Sequence, residues 1–365
     1  MMHKIKNEYI PTTVSHPGET LLDLLEERGI SQAELAERTG RPKKTINEII
    51  RGKSGIIPET AIQLERVLRV PARFWLERQR HYDEFIARKI AEERLRQEVD
   101  WLKTIPIAKM ISMGWVRKNS DKAAQLNEVL TFFGVNSPDE WRLLWRRPQV
   151  VYRKSSVFKH NPEATSAWLR KGELEAQQIL CNEYDESEFR IALSTIRSLT
   201  RHTPDRFIEE VVSRCAVCGV AVVFIPPLPK VRIYGVTRWI TPRKALIQLS
   251  LRGRFEDLLW FTFFHESGHI LIHGKRDVFI EEGGIRDKDE QEADTFARDF
   301  LIPPEKFAVF TRNSKYISKA QVLSFAKQLD ISPAIVAGRL QHERILPRSH
   351  MNDLRRRYQF VNELG

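Results

Sequence analysis

Cysteine is scarce in this chain, and long apolar runs are missing from it. Three cysteines among 365 residues are too few for the disulfide framework on which small secreted domains depend. No uninterrupted apolar stretch reaches about 18 residues, the length that spans a bilayer as a helix. The first residues also lack the apolar segment of a signal peptide. We therefore expect a soluble, cytoplasmic protein with no membrane partner.

Acidic residues are outnumbered by basic ones. The chain has 59 Lys and Arg against 48 Asp and Glu, a net charge of +11, which favours a polyanionic partner but also suits simple solubility. The charge is uneven: basic residues crowd the N-terminal region and the stretch from Arg142 to Lys154, whereas acids crowd Glu281 to Asp299. The length exceeds one ordinary core, so two or three domains are expected.

The most informative motif is His265-Glu266-Ser267-Gly268-His269, which lies within an apolar run. Histidines four apart share one face of a helix, so both can bind one metal ion, with Glu266 beside it. Zn²⁺ lowers the pKa of a bound water from ~16 to about 7. The motif predicts metal-assisted hydrolysis with His265 and His269 as ligands and Glu266 as general base; the alternative is a pair of packed histidines.

A third ligand is expected on a later helix, from Asp289 to Pro303. Glu290 and Asp294 are four residues apart and share a face. We predict that Glu290 completes the metal site and that Asp294 accepts an N–H from a ligand histidine. Glu292 points about 160° away from Glu290 and is the fallback ligand. The alternative for these acids is a solvated helix face, and for His273 a structural role is expected.

These residues resemble the ImmA/IrrE family of zinc metallopeptidases. The resemblance covers roughly residues 150–345 and rests on the H-E-x-G-H helix, the E-x-E-A-D pattern from Glu290, and the stretches Gly219–Pro226 and Ala245–Ser250. It implies a gluzincin-like endopeptidase in which zinc is bound by His265, His269 and Glu290, and Glu266 is the base. Some members cleave a repressor. The insertion from Lys275 to Asp289 is expected to be a mobile lid or merely a loop, and the candidates for stabilising the oxyanion are Tyr234, His273 and Arg339.

The N-terminal region predicts five short helices. Ser31-Gln32-Ala33-Glu34 is typical of a capping box at the start of the second helix, Gly40 suits the following turn, and Pro42 suits the start of the third. The third helix, from Lys43 to about Ile50, has an exposed polar and basic face, as a recognition helix in a DNA major groove does. The candidate DNA-binding residues are Arg41, Lys43, Lys44, Thr45, Asn47 and Arg51. The alternative is a helical bundle that contacts protein.

Residues His16 to Asp83 resemble the Cro/cI-type (XRE) domain of HigA-like antitoxins. The resemblance rests on His16–Glu19, Ile30–Ala36, Thr45–Lys53 and Phe74–Leu76. It implies an operator in double-stranded DNA and a homodimer, and it leaves a toxin partner open.

The expected fold class is α+β and mostly helical. An all-α helix-turn-helix domain (1–84) precedes a helical linker region (85–200) that packs on the peptidase core. A zincin-like core (201–312) follows, with a small mixed or antiparallel sheet beside the H-E-x-x-H helix, and then a C-terminal helical region (313–365). Phe85 to Leu102 reads as a charged amphipathic helix. The lone C-x-x-C pair Cys215/Cys218 and the Trp-rich piece Trp141–Arg147 are interpreted as packing, with stacking on nucleic acid as the alternative for the latter.

The combined hypothesis is a DNA-binding transcriptional regulator fused to a zinc-dependent endopeptidase domain. Its expected logic is a repressor relieved by proteolysis of itself or of a partner. The alternative is a non-catalytic, antitoxin-like DNA- and protein-binding module whose metal domain is a sensor or scaffold. The helix pattern favours Zn²⁺ over manganese or iron for two histidines and a carboxylate.

Overall fold

The computed structural model describes residues 13–146, 161–274, 279–280, 288–312 and 316–360. The chain divides into two compact units, residues 1–98 and 99–365. Most of the Lys275 to Asp289 insertion, expected to be a lid or a loop, lies outside the described residues, as do the basic residues Arg147, Arg153 and Lys154.

The N-terminal unit is entirely helical in its described part. Its helices are α1 (Pro17–Glu27), α2 (Gln32–Thr39), α3 (Lys43–Ile50), α4 (Pro58–Leu68) and α5 (Ala72–Glu98). Each of the first four helices turns an apolar stripe inward, as helical spacing requires. The core that they form with the start of α5 includes Leu21, Leu25, Leu35, Ile46, Ile49, Leu64 and Trp75.

The helix ends in this unit follow the expected capping chemistry only in part. Gly40 adopts φ 66° after α2, the left-handed conformation that glycine reaches at little cost. Ser31 accepts the Glu34 amide at 3.1 Å, but the Glu34 carboxylate pairs with Arg38, so only half of the predicted capping box is formed. A complete capping box lies at α1, where His16 Nδ1 accepts the Gly18 amide and Glu19 accepts the His16 amide.

The prediction of five short helices was wrong at the fifth. The expected fifth helix and the charged helix from Phe85 form one 27-residue helix, α5, followed by a 3-10 helix at Val99–Thr104. No Gly or Pro interrupts residues 72–98, and pairs at i,i+4 such as Arg88–Glu84 and Arg96–Glu92 line its exposed surface. Such pairs each add a few tenths of a kcal/mol to an exposed helix.

The C-terminal unit begins with a helical region and continues into a mixed α and β core. Its elements are α6 (Ile107–Ser112), α7 (Lys122–Phe133), α8 (Pro138–Arg146), α9 (Pro162–Gln178), α10 (Glu186–Leu199), α11 (Pro204–Val217), β1 (Val220–Phe224), β2 (Gly235–Thr241), β3 (Lys244–Leu249), α12 (Glu256–Ile272), β4 (Phe279–Ile280), α13 (Lys288–Leu301), α14 (Pro304–Arg312), α15 (Lys319–Leu329) and α16 (Pro333–His342), with a 3-10 helix at Asn352–Leu354. The α+β, mostly helical fold is confirmed.

The described strands form one small mixed sheet in the order β1-β3-β2-β4. β1 pairs with β3 in parallel, whereas β2 runs antiparallel to both β3 and β4. Successive side chains of a strand point to opposite faces, and β2 uses both. Thr237 bonds to the Glu266 carbonyl of α12 at 3.0 Å, whereas Arg238 bonds to the Leu169 carbonyl of α9 at 2.9 Å. The sheet therefore lies between α12 and α9.

Two glycines allow other helices to approach α12 closely. A Cβ at Gly268 would lie 3.0 Å from Phe296 and 3.4 Å from the Ala293 Cα, both on α13. A Cβ at Gly338 of α16 would lie 2.4 Å from an Asp257 carboxylate oxygen. Side chains larger than hydrogen would force these helices apart, so the glycines set the distance between α12 and the helices around it.

The first turn of α12 is tied to residues 354–358, which we call the C-terminal strap. Glu256, fully buried, accepts from the Tyr358 hydroxyl and the Arg356 amide and pairs with the Arg356 guanidinium at 2.9 Å. Arg357 makes an isolated bridge with Phe255, and the Tyr358 amide donates to the Arg254 carbonyl at 2.7 Å. The strap thus supplies donors to a buried carboxylate at the N-terminal end of α12, whose dipole also favours negative charge.

The tryptophan and cysteine motifs pack in the interior. Trp141 is fully buried, with its ring centroid 5.4 Å from that of Trp101, and Trp145 is 6% exposed. Cys215 and Cys218 are both buried, and burial raises the pKa of the Cys215 thiol well above its usual value. These placements agree with the packing interpretation of both motifs. None of the described helices combines the length and apolarity needed to cross a membrane.

Candidate metal centre and helix-turn-helix face

The H-E-x-x-H motif lies in the C-terminal half of α12, a helix of which most residues are buried. Apolar residues surround the motif on the helix, and Trp260, Phe263 and Phe264 are at most 1% exposed. A helix that is apolar all round is expected to lie inside a protein. His265, Glu266 and His269 are likewise at most 1% exposed, so three ionisable side chains are held in the interior.

His265, His269 and Glu290 converge on one point between α12 and α13. The two Nε2 atoms of the histidines lie 3.0 Å apart. Glu290 brings one carboxylate oxygen within 3.2 Å of His265 Nε2 and the other within 3.5 Å of His269 Nε2. The Glu290 side chain is 22% exposed, so solvent reaches the cluster from the carboxylate side. This is a cluster of metal-binding composition with an open side.

The second nitrogen of each histidine faces away from this cluster and has its own contact. His265 Nδ1 lies 2.9 Å from Asp294 Oδ1, so Glu290 and Asp294 share a face of α13 as their spacing predicts. His269 Nδ1 lies 3.0 Å from His273 Nδ1, and His273 Nε2 lies 3.2 Å from Glu292 Oε2. Glu292 thus contacts His273, while Glu290 occupies the position expected of a third ligand.

The interior environment keeps His269 neutral. Burial lowers the pKa of His269 to about 2, and the neighbouring His265 and His273 contribute in the same direction. Metal ions bind the neutral imidazole through its lone pair. The electrostatic environment therefore favours the form of His269 that a metal site requires.

Glu266 is positioned by β2. Its backbone carbonyl accepts from the Thr237 hydroxyl at 3.0 Å, which fixes α12 against the strand. A Cβ at Gly235 would lie 2.7 Å from Glu266 Oε1 and 2.6 Å from Thr262 Cγ2. The absence of a side chain at Gly235 leaves the space that the Glu266 carboxylate fills.

The three oxyanion candidates lie in different surroundings. Arg339 donates to the carbonyls of Arg298 and Ile302 at 2.9 Å each, so its guanidinium caps the end of α13. The Arg252 guanidinium lies 4.7 Å from the centroid of the Tyr234 ring. His273 is engaged with His269 and Glu292. These contacts assign no oxyanion role to any of the three.

The helix-turn-helix face is formed by α3 and the turn after it. Ile46 and Ile49 are buried, whereas Lys43, Lys44 and Arg51 are exposed. Thr45 and Asn47 are partly exposed beside them. This places five of the six predicted DNA-binding residues on one accessible polar and basic surface.

Arg41 differs from the other five. Its side chain is only 16% exposed and lies 3.1 Å from the Glu59 carboxylate, and its Nε donates to Gln63. These contacts join the start of α3 to α4. Arg41 therefore supports the position of α3, and any contact of its own with DNA would require it to leave these partners.

Sequence reasoning missed two features of the site. The contact between His273 and His269 had a visible signal, since His273 continues the i,i+4 series from His265 and His269. The space at Gly235 had none, because it depends on a strand and a helix that are distant in sequence.

Comparison with known families matches both parts of the chain. Residues 21–75 match the family described as Helix-turn-helix. Residues 222–341 match the IrrE N-terminal-like domain of the M78 peptidase family, and this range includes the whole cluster of His265, His269 and Glu290.

Individual relatives match the N-terminal part. The chain is 36% identical over 83 residues to virulence-associated protein A of Dichelobacter nodosus, covering 22% of this chain and 76% of that protein. It is similar to the solved structure of the antitoxin HigA of Pseudomonas aeruginosa with the higBA promoter (33% identity, TM-score 0.22), covering 24% of this chain and 95% of that one. A HigA-family antidote protein of an addiction module from Coxiella burnetii is similar at 29% identity and a TM-score of 0.21, covering 23% of this chain and 92% of that one.

The chain therefore belongs to the helix-turn-helix family through its N-terminal domain, and residues 222–341 of its C-terminal part match the IrrE N-terminal-like domain.

Proposed function

We propose that the protein is a DNA-binding transcriptional regulator whose C-terminal domain is a zinc-dependent endopeptidase. In this proposal the protein acts in the cytoplasm, as a homodimer on an operator in double-stranded DNA. Cleavage of the protein itself or of a partner protein relieves repression. The observation that carries the proposal is the convergence of His265, His269 and Glu290 beside the buried Glu266.

The dimensions of the cluster suit zinc. With ligand distances of 2.0–2.1 Å, tetrahedral ligand atoms lie roughly 3.3 Å from one another. Here the two Nε2 atoms are 3.0 Å apart, Glu290 Oε2 lies 3.2 Å from His265 Nε2, and the other carboxylate oxygen, Oε1, lies 3.5 Å from His269 Nε2. Two imidazoles and a carboxylate also leave the fourth position that a catalytic site keeps open.

The residues of the site have separate roles in the proposed hydrolysis. His265, His269 and Glu290 hold the ion, which when bound supplies Lewis acidity to a carbonyl and to water. Glu266 takes a proton from the attacking water and passes it to the departing amine, as a general base that becomes a general acid. Its burial beside Gly235 keeps the carboxylate close to its working position.

The DNA-binding part of the proposal is supported by the exposed face of α3. Asn47, Thr45 and Arg51 have side chains that can reach base edges, whereas Lys43 and Lys44 suit phosphates. The core residues Ile46 and Ile49 hold this face outward.

The proposal is tested by comparing wild-type protein with Glu266→Gln, which retains the proposed ligands and removes the base. Both are expressed with a reporter driven by the operator, and protein N-termini are compared between the two cell populations. We expect derepression and new N-termini only with the wild type. His265→Ala serves as a control and should lose zinc as well as cleavage.

Equal derepression by wild type and Glu266→Gln, with no new N-termini from either, contradicts the peptidase proposal. That result would favour the non-catalytic module, in which the metal domain is a sensor or scaffold. Copurification of a small toxin with both proteins would then identify its partner.

A further inference from the structure

His273 is the first residue after α12 and is almost completely buried. Its side chain is 8% exposed, and both of its ring nitrogens have partners: His269 Nδ1 at 3.0 Å and Glu292 Oε2 at 3.2 Å. The residues form a continuous line from the proposed metal ligand His269 through His273 to the half-exposed Glu292.

The direction of each hydrogen bond in this line follows from His269. Its Nε2 faces His265 and Glu290, so this nitrogen carries the lone pair for the metal and the proton resides on Nδ1. Two Nδ1 atoms in contact need one donor and one acceptor, and therefore His273 Nδ1 accepts. A neutral His273 then carries its proton on Nε2 and donates it to Glu292.

We propose that His273 and Glu292 are positioning residues that fix the orientation and tautomer of His269. Asp294 does the same directly for His265, at 2.9 Å. Each ligand histidine is thus linked to a carboxylate. His265 contacts Asp294 directly, and His269 is linked to Glu292 through the His273 imidazole. Such partners hold the ring in place and raise the basicity of the ligating nitrogen. The inference rests on the proposed metal site.

The same residues have a competing use as a second cation site. His273, Asp289 and Glu292 bring ligand atoms within 4.8 Å of one another. The hydrogen-bond directions argue against this use, because His273 Nδ1 accepts the hydrogen bond from His269 and Nε2 bears the proton that is donated to Glu292. A neutral imidazole in this state has no lone pair left for a metal ion.

The test measures zinc affinity by chelator competition in the full-length protein, together with the visible spectrum of the Co²⁺-substituted form. The variants are His273→Phe, which removes the acceptor, and Glu292→Ala, which removes the final carboxylate. Glu292→Gln keeps an acceptor oxygen. Asp289→Asn is the matched control, since it removes one negative charge near His273 while leaving the line of hydrogen bonds intact.

We expect His273→Phe and Glu292→Ala to weaken zinc binding about 10–100-fold and to shift the Co²⁺ spectrum. Glu292→Gln should recover most of the loss, and Asp289→Asn should stay within about threefold of wild type, below that range. A merely structural role would lower the melting temperature of the metal-free protein without moving affinity or spectrum. Glu292 is 40% exposed, so its variants test the inference even if His273→Phe fails to fold.

Wild-type affinity and spectrum in both His273→Phe and Glu292→Ala would overturn the inference while leaving the metal site in place. A second zinc per chain that is lost in Glu292→Ala would overturn it in favour of the cation site. A wild-type protein that binds no zinc, or a His265→Ala variant that binds it equally well, would contradict the metal site and the proposed function with it.

Discussion

Asp257 and Arg355 form a two-pronged ion pair, with Nε 2.9 Å from Oδ1 and Nη2 2.8 Å from Oδ2. Both side chains are nearly buried, at 8% and 11% exposure. Asp257 lies in the first turn of α12, which carries the His265–His269 motif, and Arg355 lies in the C-terminal strap, 98 positions later. Together with Glu256, this pair joins the start of the motif's helix to the end of the described chain.

The free energy of unfolding should depend on pH in part through the Asp257 carboxyl. Burial raises the pKa of this carboxyl above its ordinary value of 3.8, although Arg355 opposes the rise. A raised folded-state pKa means that the folded protein binds the proton more tightly than the unfolded chain does. The resulting stabilisation of the fold is present at low pH and is lost as pH rises through the folded-state pKa. Relative to Asp257→Asn, the wild type should lose free energy of unfolding as pH increases from about 4. Denaturant titrations of both proteins across this range measure the difference, and a flat difference contradicts the prediction.

Gly235→Ala should impair catalysis while sparing metal binding. The added methyl would approach Glu266 Oε1 at 2.7 Å and the buried Thr262 at 2.6 Å, so the carboxylate must move. A displacement near 1 Å can cost about 100-fold in rate. We expect zinc content to match wild type and the yield of new N-termini to fall to the level of Glu266→Gln. Unchanged cleavage by Gly235→Ala would show that the carboxylate has room to adjust.

Gly18→Ala should loosen the N-terminal unit and weaken operator binding. A Cβ at this position would lie 2.0 Å from the Ile49 carbonyl oxygen, so α1 and the recognition helix α3 must separate. Overpacking of this kind costs about 1–3 kcal/mol. Hydrogen exchange of the α1 and α3 amides in the full-length protein should accelerate, whereas Asp23→Ala, on the exposed side of α1, should leave it unchanged. Equal exchange in Gly18→Ala and the wild type would contradict the prediction.

Lys44 and Asn47 should affect DNA binding differently. Lys44→Ala removes the phosphate contact proposed for this side chain, so affinity should fall similarly for all sequences and the salt slope should shrink by about 0.9. Asn47→Ala should cost about 1–3 kcal/mol and relax base preference at one position. Selection from random duplexes and titrations at several salt concentrations measure both effects. Lys89→Ala on α5 is the control for the loss of one positive charge. If it changes affinity and salt slope as much as Lys44→Ala does, α3 has no special role in DNA binding.

Local patterns predicted much of the fold and of the candidate site. The spacing of Glu290 and Asp294 placed both acids opposite His265. The failures have physical causes. The prediction of a short fifth helix separate from the helix at Phe85 was wrong because nothing in the sequence of α5 stops a helix. Ser31 lacks its reciprocal partner because Arg38 competes for Glu34. The pairing of Asp257 with Arg355 could not be predicted, since it depends on a contact between segments 98 residues apart.

The C-terminal strap affects the order in which the two units of the chain are completed during synthesis. The helix-turn-helix unit is complete at residue 98, whereas the partners of Glu256 and Asp257 are 257 residues further on, at Arg355 and Arg356. At roughly 5–20 residues per second, about 13 to 50 seconds separate the two events on the ribosome. A nascent chain therefore gains its α3 surface well before α12, the helix with the H-E-x-x-H motif, is joined to the strap. Newly made protein passes through a stage in which the helix-turn-helix unit is complete and the C-terminal unit is not.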